Sequence, residues 1–138
     1  MESLKVRDHM NKRPVTFSPN MSLSEALDKL IKSDHTGGPV IDENRKLVGF
    51  ISEQDMLHIL LKVGYNCQDT HTVGDIMYRD VLSVSPEDSI ISMAEKMAPN
   101  KPKLYPVCEN GRLVGIISRR NLLRAISAQI GECFAHPV

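Results

Sequence analysis

The chain has no tryptophan and only three tyrosines and three phenylalanines. Flat side chains on which nucleic-acid bases stack are therefore scarce. It has no excess charge of either sign: 17 basic residues offset 17 acidic ones, for a formal net charge of zero. A dedicated nucleic-acid binder carries a basic surplus, so no nucleic-acid partner is expected. Cys67, Cys108 and Cys133 are odd in number and form no Cys-x-x-Cys pair. Neither a disulfide framework nor a zinc site is expected from them. His9, His35, His58, His71 and His136 show no metal-ligand spacing, so no metal is expected. No apolar run approaches the roughly 20 residues that span a bilayer, and no secretory leader is read at the start. A reduced, cytoplasmic setting without a membrane is the expectation. No Ser/His/Asp or Cys/His grouping stands out either, so the chain is not expected to be an enzyme.

What is present is a duplication. Val6-Arg7-Asp8-His9-Met10 recurs as Val73-Gly74-Asp75-Ile76-Met77, 67 residues later. The same step carries Thr16-Phe17-Ser18-Pro19 onto Ser83-Val84-Ser85-Pro86, and Pro39-Val40 onto Pro106-Val107. One residue then drops out, and Gly49-Phe50-Ile51-Ser52 maps onto Gly115-Ile116-Ile117-Ser118 at a step of 66. Such a unit is too long for a solenoid repeat and small for a lone domain. At 138 residues and 41% hydrophobic, the whole chain fits one compact module made of two closing halves.

Each half reads β-α-β-β-α. In the first, Val15-Thr16-Phe17 is a β-prone run stopped by Ser18-Pro19. Ser22 with Glu25 makes a capping-box signature. Leu23, Ala26, Leu27, Leu30 and Ile31 share one helical face, and Gly37-Gly38 is read as the end of that segment. Pro39–Ile41 and Leu47–Ile51 form a hairpin. A second helix runs from Ser52 towards Gly64. The second half repeats this, with Leu82–Val84 as the first strand, a helix marked by Ile90, Met93, Ala94 and Met97, and a hairpin around Asn110-Gly111. The β-α-β step is expected to be a right-handed crossover giving a three-stranded sheet. Met56, Met93 and Met97 read as core. Leu57, Leu60, Leu61, Leu122, Leu123 and Ile126 are too many to bury in so small a module, which implies an apolar dimer face.

Three segments combine polarity with a helix start or a close backbone approach. Ser52-Glu53-Gln54-Asp55 is nearly a capping box, and acids suit a helix N-terminus. Arg119-Arg120 falls where cations are disfavoured; it suits a phosphate or is solvated surface charge. His35-Thr36-Gly37-Gly38 allows close approach to a ligand or simply ends a helix. At the corresponding place in the second half, Lys101-Pro102-Lys103 reads first as an ordinary polar loop.

The order of these elements, the Val-x-Asp-x-Met openings, the Pro-Val strands and the Gly-x-x-Ser segments together resemble a tandem pair of CBS domains, named after cystathionine β-synthase. The resemblance covers roughly Ser3 to Ile130. It implies an α/β (α+β) pseudo-twofold module: a first CBS repeat over 3–65, a linker over 66–72, a second repeat over 73–130 and a tail over 131–138. It further implies a stand-alone regulatory module that binds AMP, ADP, ATP or S-adenosylmethionine in clefts between the repeats, with no cofactor required. Signalling to an unknown downstream protein would follow from conformational or dimer rearrangement, in a homodimer. The family's ribose motif falls on Ser52 and Asp55 in the first repeat. In the second it falls on Ser118, Arg119, Arg120 and Asn121, where Asn121 departs from aspartate. The adenine-facing positions implied are Val15, Thr16, Gly38 and Pro39 for one cleft, and Ser83, Tyr105 and Pro106 for the other. The alternative expectation is a dimeric interaction scaffold with no small ligand.

Overall fold

The structure is a computed structural model that describes residues 4–33, 35–63, 71–97, 99 and 101–135. Residues 66–70 of the expected linker lie outside these, as do Gly64, Cys67 and His136. The helices are α1 (Leu23–Ser33), α2 (Glu53–Val63), α3 (Val73–Ile76), α4 (Ile90–Lys96) and α5 (Arg119–Ala135). The strands are β1 (Gly37–Ile41), β2 (Leu47–Ser52), β3 (Leu104–Glu109) and β4 (Arg112–Ser118). The chain divides into two compact units.

The first-repeat unit comprises Pro14–Val81 and Gly111–Leu113. Ser22 caps α1 by accepting the Glu25 amide at 3.1 Å, which leaves the apolar stripe of that helix facing the sheet. β1 and β2 form an antiparallel hairpin in which Gly37 faces Ser52, Gly38 faces Ile51 and Pro39 faces Phe50. Asp42 shapes its turn: its Oδ1 accepts the amides of Asn44 and Lys46, both at 2.9 Å. Gly37 and Gly38 open β1 rather than close α1, because a buried backbone must complete the ladder opposite Ile51 and Ser52. The core comprises Phe17, Leu23, Ala26, Leu30, Val40, Ile51, Met56, Val73 and Met77.

The second-repeat unit comprises Met1–Arg13, Leu82–Asn110 and Val114–Val138. Ser89 caps α4 through the Ser92 amide at 3.2 Å. β3 and β4 pair in a hairpin whose turn residues Asn110 and Gly111 have φ of 54° and 80°. Two left-handed residues match the twist of the strands they join, which is why Asn-Gly marks such a turn. The core comprises Val6, Ile90, Met93, Tyr105, Val107, Ile117, Leu122 and Ala125. Of the six apolar residues expected to be too many to bury together, Leu122 is in the core at 3% exposure, whereas Leu57, Leu61 and Leu123 are exposed. Leu122 lies one helical position, about 100° of rotation, from Leu123, which is 63% exposed, so the two fall on different faces of α5.

The expected three-stranded sheets are two-stranded. Phe17 and Val84 each make a single parallel bridge, to Val40 and Val107. The Ser-Pro turns that follow bend the chain away after one pairing, and proline offers no N–H to extend a ladder.

Each unit is completed by the opening segment of the other sequence repeat. In the first-repeat unit, Val73 is fully buried and donates its amide to Met21 O at 2.9 Å, and Tyr78 exchanges two 2.8 Å bonds with Phe50. In the second-repeat unit, Val6 is fully buried and donates to Asp88 O at 2.9 Å, and Asn11 exchanges bonds of 2.8 and 3.0 Å with Ile116. This explains why methionine and glycine recur in the two motifs. A Cβ at Gly49 would lie 2.5 Å from the Met77 sulfur, and one at Gly115 would lie 2.7 Å from the Asn11 carbonyl and 2.9 Å from the Met10 sulfur. Only a bare backbone lets the opening segment lie this close.

Candidate functional site

The residues singled out in the first repeat come together at one end of the β1–β2 hairpin. The Val15 carbonyl would stand 2.9 Å from a Cβ at Gly38, and Phe17 N–H donates to Pro39 O at 3.0 Å. Val15 and Thr16 therefore run directly alongside Gly38 and Pro39. Ser52, opposite Gly37, ends β2 and starts α2. Its hydroxyl accepts the Asp55 amide at 3.1 Å and donates to Asp55 Oδ2 at 2.9 Å. Ser52 thus caps α2, and the neighbouring Glu53 amide is taken by Thr36 O at 2.8 Å. Asp55 is exposed, and its other carboxylate oxygen has no partner among the described residues. Glu53 and Asp55 put two negative charges in the first turn of α2, at the positive end of its dipole.

Lys29 belongs to this end of the unit and carries no sequence signature. Its ammonium donates to the Thr16 carbonyl and stands 5.6 Å from the centroid of the Phe17 ring. It ties α1 to the segment that bears Thr16. Nothing in the periodicity of α1 distinguishes Lys29 from an ordinary exposed lysine.

In the second-repeat unit the corresponding residues form a similar frame with different chemistry. Val84 N–H donates to Pro106 O at 3.0 Å, which sets Ser83 beside that strand. The Arg119 amide is taken by Lys103 O at 2.8 Å, the counterpart of the Glu53–Thr36 bond, so the Lys101–Lys103 loop abuts the start of α5. Ser118 caps α5 by accepting the Asn121 amide at 3.1 Å. Asn121 Oδ1 in turn accepts both the Ser118 amide, at 2.8 Å, and the Ser118 hydroxyl, at 2.9 Å. The first turn of α5 holds no acid but carries Arg119 and Arg120, neither of which has an ion-pair partner among the described residues. The Tyr105 ring belongs to the core, at 7% exposure. Cys108 is half-buried; burial pushes its thiol up, against a hydrogen bond with Ser83 that pulls the other way.

Two further features were missed in the sequence. An open groove of about 590 Å³ runs between α1 and α2, its lining including Leu27, Leu30, Ile31, Leu57 and Leu60 together with the polar His35 and Glu53. It takes in Leu57 and Leu60, which the sequence offers as surplus apolar surface, but none of the expected adenine-, ribose- or phosphate-facing positions lines it. The second is an ion network at the start of the chain. Glu87 accepts from Lys5 at 3.0 Å and from Arg7 at 2.6 Å, and Arg7 also lies 3.7 Å from Glu109. Hydrogen bonds from Arg7 and Lys5 hold the Glu87 carboxyl below the usual range. The pairs are about half exposed, so they orient the opening segment more than they stabilise it. Among the described residues no group of three His, Cys, Asp or Glu side chains could hold a metal ion. No described helix is long and apolar enough to cross a membrane.

Two matching α/β frames, each with a serine-capped helix starting where its hairpin ends, define a paired-repeat module. The CBS-domain family model matches residues 6–62 and 73–128. The chain belongs to this family, as a tandem CBS pair. It is similar to CBSX2 of Arabidopsis thaliana solved in complex with AMP, at 32% identity and a TM-score of 0.79, covering 94% of this chain and 99% of that one. It is also similar to the CBS domain pair of protein MJ0100 in complex with 5'-methylthioadenosine and S-adenosyl-L-methionine, at 30% identity and a TM-score of 0.76, covering 91% and 97%. A zinc metalloprotease of Methanocaldococcus jannaschii is 37% identical over 126 residues, 91% of this chain and 33% of that protein. The chain spans less than half the length of the first curated relatives it matches.

Proposed function

We propose that this chain is a regulatory module that binds an adenosine-containing ligand, AMP, ADP, ATP or S-adenosylmethionine, and acts through conformational or dimer rearrangement rather than catalysis. The observation that carries this is Asp55. A charged acceptor with one oxygen unpartnered among the described residues stands in the first turn of α2, just past Ser52, which pairs with Gly37 in the hairpin. A carboxylate suits the vicinal hydroxyls of a ribose, and charge-assisted bonds to it are strong. The AMP complex of CBSX2 and the S-adenosyl-L-methionine complex of the MJ0100 pair support the same ligand class. Val15, Thr16, Gly38 and Pro39 would line the adenine, with Ser52 beside the ribose. In the second-repeat unit, Ser118, Arg119 and Arg120 suit a phosphate, alongside Ser83, Tyr105, Pro106 and Asn121. Ligand binding shifts the balance of conformations by its differential affinity for them.

Self-association completes the proposal. Ile31, Leu57 and Leu61 are 70%, 60% and 75% exposed on the two helices that frame the groove. A second copy of the chain is the proposed cover. The same leucines favour a second reading, in which partner contact carries the function without a small ligand.

Calorimetry separates the two. AMP, ADP, ATP and S-adenosylmethionine are titrated in turn, and at least one is expected to bind with a Kd below about 1 mM. Asp55→Ala removes a charged acceptor worth about 1.5–3 kcal/mol, so affinity falls roughly 10- to 100-fold. If none of the four binds, the scaffold reading replaces this one.

A further inference from the structure

We infer that the chain pairs head to tail: the groove between α1 and α2 of one copy takes the α5 ridge of a second copy, and a twofold axis repeats the contact. This orientation rests on the self-association proposed above and specifies which surfaces meet. The sequence repeat keeps the apolar residues of one helix face and reverses its charge. At the step of 66, Glu53, Gln54, Leu57 and His58 correspond to Arg119, Arg120, Leu123 and Arg124. A helix turns by about 100° per residue. Glu53, Leu57 and Leu60 therefore share a narrow stripe of α2, and Arg119, Leu123, Ile126 and Ile130 share the matching stripe of α5. Leu57 and Leu123 are 60% and 63% exposed, so both stripes reach the surface.

The charges on these stripes are unpaired. Glu53, Arg119, Arg120 and Arg124 have no ion-pair partner among the described residues. The first turn of α2 holds Glu53 and Asp55, whereas that of α5 holds two arginines and no acid. The imbalance extends to the units: 10 acidic and 7 basic residues in the first-repeat unit, 7 acidic and 10 basic in the second. A head-to-head pair would set each stripe against its own copy. Arginine would then face arginine and Glu53 would face Glu53 while water leaves the contact, which costs free energy. A head-to-tail pair sets acid against arginine, and twofold symmetry makes that contact twice. Shape favours the same arrangement. The α1–α2 groove is a concavity of about 590 Å³ lined in part by Leu57 and Leu60. A ridge bearing Leu123, Ile126 and Ile130 fills such a groove better than a second groove does.

Cross-linking of the full chain reads the pairing. Cys67, Cys108 and Cys133 are replaced by serine, and one cysteine is returned as Leu57→Cys or as Leu123→Cys. A short bismaleimide is expected to join the two variants when they are mixed and to join little of either alone. Cross-linking of either variant to itself, with no gain on mixing, would overturn the inference. Salt dependence of the wild type gives a second reading that needs no variant. Raising NaCl from about 50 to about 500 mM is expected to raise the dimer dissociation constant about fivefold or more, because screening weakens attraction between opposite charges. A constant that holds or falls with salt would overturn the inference while leaving self-association intact. A wild type that stays monomeric at every concentration in light scattering would instead remove the self-association on which the orientation rests.

Discussion

Replacing Phe17 by alanine is expected to lower the unfolding free energy by about 3–5 kcal/mol, the range for emptying a buried aromatic site. Phe17 is 1% exposed and belongs to the core of the first-repeat unit. Its backbone bonds to Pro39 and Ile41 would survive, so the loss is one of packing. The site cannot collapse easily: the ring edge lies against Gly38, which has no side chain to move into the space. The lysine that stacks over the ring also loses its partner. Small domains are stable by only about 5–15 kcal/mol, so the change takes up a large part of the margin. Urea denaturation measures it as a shift in midpoint at constant slope. A loss below about 1 kcal/mol would show that the core is not organised around this residue.

The two repeats solve the same packing problem with the aromatic in different places. Counted by the sequence repeat, Phe17 and Gly38 correspond to Val84 and Tyr105. One unit places its ring on the short bridging segment and leaves β1 bare. The other places its ring on β3, with Val84 packed against the same core. The missing side chain at Gly38 and the Phe17 ring go together: a Cβ at Gly38 would lie 2.9 Å from that ring.

The second large effect concerns self-association. Leu57→Arg combined with Leu61→Arg is expected to convert the proposed dimer to a monomer. Both side chains are largely exposed, at 60% and 75%, so the fold should tolerate the change. Covering such leucines contributes about 1.5–3 kcal/mol each when burial is complete. Losing two on each side and adding buried charge should raise the dissociation constant by well over 100-fold. Light scattering at matched concentrations reads the outcome. A wild type that is monomeric at high concentration, or a double variant that remains dimeric, would exclude this face as the contact.

Much of the fold was legible because its signals are local. Ser22 and Ser52 sit before apolar stripes, and each caps the helix expected of it. Asn110-Gly111 turns the second hairpin. What escaped the sequence depends on which surfaces meet. The repeat pattern shows that Val6 and Val73 are equivalent, but not that each is buried in the unit carrying the other repeat's body. Pairing of a short strand is likewise a tertiary matter, so Phe17 and Val84 were read as strands and make one bridge each. In α5, Leu122 and Leu123 carry equal hydrophobicity, and only the phase of the helix makes one core and the other surface.

The candidate site divides the same way. Ser52 and Asp55 are neighbours by helical spacing, and their mutual hydrogen bonds follow from it. That a carboxylate and an amide at this position differ in free acceptors emerged only from the bonds they make. Lys29 and the groove between α1 and α2 come from the packing of distant segments, and no local pattern announces them.

The most direct test is amide NMR of the uniformly labelled chain during titration with AMP. The largest shift changes are expected at Thr16, Gly38, Ser52 and Asp55, with the groove residues Leu30 and Leu57 little affected. Shifts centred on that groove, or none at millimolar AMP, would contradict a nucleotide site at the Asp55 end of the hairpin.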